Sequence, residues 1–163
     1  MTPKEPCTNL EELKQEYETF RQKYELPDFT ELNKHFDIEE IDIETEFLLR
    51  KIRRNISEKI AGYLRFIEII LNPSNAPMFF FKLIKKLDSD DKTNLTKIYE
   101  NLSSFEIKAI SLDLNYDEQK EAEFIKNIQN NFKTFKNELL EVIKKLDNGE
   151  GVKIKNNNES YFG

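Results

Sequence analysis

Histidine is the side chain most often used for proton transfer and metal ligation near neutral pH. This chain has one, His35, next to Phe36 and without a second histidine at helical spacing. That placement reads as a structural or surface residue. The carboxylate-bridged metal sites of helical bundles need Glu-x-x-His pairs, and none occurs. The run Asp88-Ser89-Asp90-Asp91-Lys92 opens like a calcium loop. However, Lys92 takes position five, Thr93 replaces the glycine at six, and Tyr99 stands where a bidentate glutamate belongs. The same acids suit the cap and first turn of a helix, where the backbone dipole is positive, and this reading is preferred.

Nucleophiles are equally sparse. Cys7 is the only cysteine. It cannot form an internal disulfide, so a bystander thiol in a reducing, cytoplasmic setting is expected. There is no glycine-rich phosphate loop and no Ser/His/Asp or Cys/His arrangement with supporting context. Asn-x-Ser/Thr triplets at Asn55, Asn94, Asn101 and Asn158 come with no leader-like apolar run at the start, MTPKEPCTNLEE. In an Asn-rich chain they read as chance. The sequence therefore predicts a protein that is not an enzyme, with no cofactor, no metal and no small-molecule substrate.

Two clusters and a tail carry the binding candidates. Arg50, Lys51, Arg53 and Arg54 form the one dense basic group. On a helix Arg50, Arg53 and Arg54 share a face that could follow a phosphate backbone. The plainer account pairs Glu46 with Arg50 and Arg54 with Glu58 at four-residue spacing, and no aromatic is interleaved for base stacking. Met78, Phe79, Phe80 and Phe81 stand side by side, followed by Lys82, Lys85 and Lys86. At about 100° per residue, Phe79, Phe80, Leu83, Ile84 and Leu87 share an arc, Met78 and Phe81 flank it, and the lysines lie opposite. The preferred reading buries this face against residues 60–71. The alternatives leave part of it for a protein partner or for a membrane surface. Tyr161 and Phe162 close a polar stretch and are candidates for docking in a partner pocket, against a bland disordered end.

Positioning these groups is the work of helices. The chain has 163 residues, a net charge of −6, 34% charged residues, and only four glycines and five prolines. That composition leaves little turn chemistry for sheets and disfavours a dominant nucleic-acid footprint. No stretch approaches the roughly 20 apolar residues of a bilayer span. Thr8-Asn9-Leu10-Glu11 has capping-box form and opens a helix with Leu10, Leu13, Tyr17, Phe20 and Tyr24 on one face, ended by Pro27. Asp28-Phe29-Thr30-Glu31 opens a short second helix with Phe29, Leu32 and Phe36 inward. A long helix is expected over about 43–71, about 43 Å at 1.5 Å per residue, with Leu49, Ile52, Ile56, Ile60, Tyr63, Ile67 and Ile70 as its stripe. Its acidic approach (Glu39, Glu40, Asp42, Glu44, Glu46) suits the positive end of the dipole. Asn72-Pro73 stops it, and Pro77 starts the aromatic helix, expected over 77–87.

Two further helices are expected over about 89–114 and 117–146. Their stripes are Leu95, Ile98, Leu102, Phe105, Ala109 and Leu112, then Ile125, Ile128, Phe132, Phe135, Leu139, Val142 and Leu146. The second stripe is two residues out of phase with the first, about 200° on a helix. That predicts a break near Asn115-Tyr116-Asp117 and an antiparallel hairpin. The fold expected is all-α: an elongated bundle of five to six helices with a long central helix. It would form a single domain over 8–146, flanked by a flexible 1–7 and a flexible polar tail, 147–163. Broad apolar faces in a short chain predict an interaction or assembly module that self-associates, most simply as a twofold dimer. The alternative is an accessory protein that binds nucleic acid through the basic cluster or a membrane through 77–87.

Overall fold

The computed structural model describes residues 9–42 and 47–148. They form an all-α bundle of six α-helices and two short 3-10 turns, with no strand among the described residues. The helices are α1 (Asn9–Tyr24), α2 (Phe29–Phe36), α3 (Leu48–Leu71), α4 (Met78–Ile84), α5 (Ser89–Leu114) and α6 (Glu118–Asp147). Thr8, and with it the capping box proposed for α1, lies outside the described residues, as do Tyr161 and Phe162.

Helices α3, α5 and α6 pack on one another, while α1 lies against α6 and α2 against α3. Opposed pairs show the sense in which α5 and α6 run: Asp91 meets Lys145, Asn101 meets Asn131, and Phe105 meets Phe124. Early residues of one helix thus contact late residues of the other. All the stripe residues expected on α5 and α6 are buried. Each such aliphatic or aromatic side chain contributes about 1.5–3 kcal/mol by leaving water. In α3 the stripe is buried except for half-buried Tyr63, and Leu64 joins it.

Local chemistry sets the helix ends. The Asp28 carboxylate accepts from the Thr30 amide at 2.9 Å and opens α2. Asp37, in the left-handed region at φ 48°, closes α2 by donating its amide to the Asn33 carbonyl; Asp is one of the few residues that tolerates this conformation. The acidic run at 88–91 is a reciprocal cap. Asp88 accepts from the Asp91 amide at 2.9 Å, and Asp91 accepts from the Asp88 amide at 3.1 Å.

Two helices are shorter than the sequence predicts. Helix α3 begins at Leu48, because the Phe47 backbone is non-helical (φ −132°, ψ 70°) and its ring packs 4.6 Å from Tyr116. Glu39 and Glu40 belong to the preceding 3-10 turn, Ile38–Glu40. The first turn of α3 therefore carries no acid, and Arg50 and Lys51 stand there instead. Helix α4 stops at Ile84, not at 87. The cap on α5 requires extended backbone at Asp88 (φ −84°, ψ −178°), so the chain must leave the helical path before it gets there.

Candidate interaction surface

The basic cluster on α3 is drawn into the bundle. Arg53 is 1% exposed. Its Nε donates to Glu121 Oε2 at 2.8 Å, and one terminal nitrogen donates to Glu121 Oε1 at 3.2 Å and to Asp113 Oδ1 at 2.8 Å. Burial works against the charge of Arg53, but the hydrogen bonds it donates to Glu121 and Asp113 outweigh that and hold its pKa above the ordinary value. Arg54 Nε donates to the same Asp113 oxygen at 2.9 Å. These bonds hold the Asp113 carboxyl down at about 2, with the Arg53 bond as the larger cause.

Arg50 donates to the main-chain carbonyls of Leu112 and Asp113 at 3.2 and 3.0 Å and lies over the Tyr116 ring. It thereby satisfies acceptors that the end of α5 leaves open. Lys51 reaches the Asp42 carbonyl at 3.2 Å. The reading of Arg50, Arg53 and Arg54 as one solvent-facing phosphate track is corrected at Arg53, which points inward because two acids on α5 and α6 converge on it. Arg54 pairs across helices with Asp113, not along its own helix with Glu58.

The aromatic segment divides. Ile84 and Leu87 are buried, and Phe80 and Leu83 are half-buried against the same core. Met78, Phe79 and Phe81 are exposed by 84%, 59% and 40%. Full burial of this face is thus corrected: seven helical residues make two turns, and the face that turns inward is centred on Ile84, away from Phe79. Lys86 reaches the Leu146 carbonyl at 3.5 Å, which ties the turn after α4 to the last turn of α6. Beside it, Lys145 pairs with Asp91 at 2.6 Å. Helix α4 is thus held from below and at its end, and it presents three large apolar side chains to solvent.

A second aromatic group lies inside. Phe132 on α6 is surrounded by His35 (4.9 Å between rings), Phe36 (5.0 Å), Phe135 (5.0 Å) and Tyr63 (6.0 Å). Burial, and then Lys136 and Lys34, lower the His35 pKa. His35 is a packing residue of this cluster.

Among the described residues, no group of three His, Cys, Asp or Glu is placed to hold a metal ion, and no helix is long and apolar enough to cross a membrane. The sequence reading missed an exposed apolar row on α5, namely Ile107, Ile110 and Leu114. Their spacing of three and then four, opposite the buried stripe, was the available signal. It also missed the union of Arg53 with Glu121, which no local pattern announces. No protein-family model, no curated protein and no solved structure matches this chain.

Proposed function

We propose that the chain is a non-enzymatic interaction or assembly module of the cytoplasm, engaging other protein surfaces through apolar helical faces. The observation that carries this reading is the exposure of Met78, Phe79 and Phe81 on a helix whose Ile84 and Leu87 are sunk in the core. Exposed aromatics on a fixed short helix lose little conformational freedom when covered, and large aromatic side chains dominate the energetics of protein contacts. The arginines of α3 support the same reading, because their hydrogen bonds go to α5 and α6.

The test compares the wild-type chain with a Met78→Ser/Phe79→Ser/Phe81→Ser variant, both tagged and purified from cells, by quantitative mass spectrometry. A protein retained by the wild type and lost from the variant supports the reading. An unchanged set of partners removes it. Sedimentation with anionic vesicles is run in parallel, and binding that depends on the same three residues would assign the face to lipid instead.

A further inference from the structure

Arg53 meets Glu121 and Tyr63 meets Phe132, so α3 and α6 run side by side in the same sense. As far as Phe132 the seam between them is roofed by the end of α2. The His35 and Phe36 rings lie on Phe132, and the Phe36 carbonyl accepts from Asn55 of α3 at 2.6 Å. Beyond that point, within the described residues, the seam opens into a hollow of about 140 Å³. It is lined by Tyr63, Phe132, Phe135, Leu139, Leu140 and Ile143, with Lys136 as its one charged side chain. Leu140 and Ile143 stand 41% and 39% exposed along it.

We propose that this hollow is the docking site of the chain's own segment 152–154, folded back along α6. The inference goes beyond the α4 reading and stands without it. Reach is the first argument. Asn148 closes α6 with its amide on the Lys144 carbonyl. Val152 and Ile154 follow four and six residues later, within about 13 and 20 Å of extended chain. Ile143 and Leu139 lie five and nine residues back, about 7.5 and 13.5 Å along the helix axis. Gly149 and Gly151 stand where the chain must reverse, and glycine accepts the left-handed backbone of such a turn.

Pattern is the second. Val152 and Ile154 alternate with Lys153 and Lys155, so extended backbone would put the two apolar side chains on one side and the lysines on the other. Their spacing, about 6.6 Å at 3.3 Å per residue, matches the roughly 6 Å between Ile143 and Leu139, one turn apart on α6. The third is the lack of a rival within the chain. Residues 1–8, MTPKEPCT, hold no such apolar pair. Residues 43–46 adjoin Phe47, which precedes Tyr63 by 16 residues, about 24 Å along α3.

Thiol reactivity in the full chain tests this, with Cys7→Ser as background so that each variant carries a single thiol. Ile154→Cys and Lys153→Cys are each treated with a chromogenic disulfide, and the rates are divided by those of the same chains in urea. The thiol introduced by Ile154→Cys should react about tenfold more slowly than the one introduced by Lys153→Cys, as for a segment undocked about a tenth of the time. Adding Leu140→Asp, or Ile143→Ser should the first variant lose the wild-type circular dichroism spectrum, should abolish that difference. Equal rates at the two positions overturn the proposal. Protection that survives both groove variants also overturns it, because the segment is then covered elsewhere. Protection that grows with protein concentration from one to tens of micromolar gives the hollow to the segment of a second copy and overturns the fold-back. α4 enters none of these outcomes, so they leave the reading of its exposed face to its own test.

Discussion

Arg53 on α3 and Glu121 on α6 meet through two hydrogen bonds, at 2.8 and 3.2 Å, with both side chains sealed from solvent. They are 68 residues apart in the chain. Together with Asp113 they join α3, α5 and α6 at a single charged node. Two desolvated charges gain little over a well-packed apolar pair, but stranding one of them is costly.

Arg53→Ala should therefore lower the unfolding free energy by about 3–5 kcal/mol, measured by urea denaturation. Arg53→Met combined with Glu121→Met should recover most of that loss, because neither charge is left behind. Equal damage in the single and double variants would show that shape, and not charge pairing, governs the node.

Asp113 sets an acid limit. Its carboxyl titrates at about 2, below its ordinary 3.8, held there first by Arg53 and then by Arg54. A depressed folded pKa favours the fold while the group is ionised, so this contribution is complete above about pH 4. It fades as pH falls towards 2. Asp113→Asn should flatten this part of the stability–pH curve, as read by thermal melts across the range. The side chain is 42% exposed, so solvent screening keeps its share modest, and added salt should shrink it further. An acid limb of unchanged slope in Asp113→Asn would refute the assignment.

His35 acts at higher pH. Its folded pKa lies below the ordinary 6.5, through burial and then the nearby Lys136 and Lys34, with Glu31 opposing them. The unfolded chain takes up the proton first as pH falls, so stability should decline from about 6.5 down to the folded pKa and then level off. His35→Gln should remove that decline. Urea midpoints of both chains above and below this window decide the matter.

The two sides of α4 should respond differently to substitution. Phe79→Ser changes an exposed side chain and should move stability by no more than about 0.5 kcal/mol. Ile84→Ala opens a space in the core and should cost about 2–5 kcal/mol. Comparable losses at both positions would mean that Phe79 is covered within the chain.

The sequence disclosed the architecture where periodicity governs it. The stripes of α5 and α6 went into the core residue by residue, because a three- and four-residue repeat can bury only one face of a helix. The caps at Asp28 and Asp88 were legible for the same reason: a carboxylate and the amide it accepts from lie within three residues. The start of α3 was not legible. Ile41 to Phe47 carries no helix breaker, and what holds Phe47 out of the helix is a ring from Tyr116, far along the chain. Exposure of Phe79 depends on which side of α4 meets the core, and that side is centred on Ile84. The fate of the arginines depended on acids more than 50 residues away.

The bend between α5 and α6 has a consequence for the isolated hairpin. Residues 112–118 read Leu-Asp-Leu-Asn-Tyr-Asp-Glu, with neither glycine nor proline. Within the hairpin itself, only the Asp117 side chain, accepting from the Lys120 amide at 3.0 Å, marks a fresh helix start. The other restraints are the packing of α5 on α6, seen in the Phe105–Phe124 rings and the Asp91–Lys145 pair, and Arg50 of α3, which occupies the carbonyls of Leu112 and Asp113. Cut away from α3, residues 89–147 would keep the first of these restraints and lose the second. The elbow of this protein is thus shared between its own two arms and a neighbouring helix.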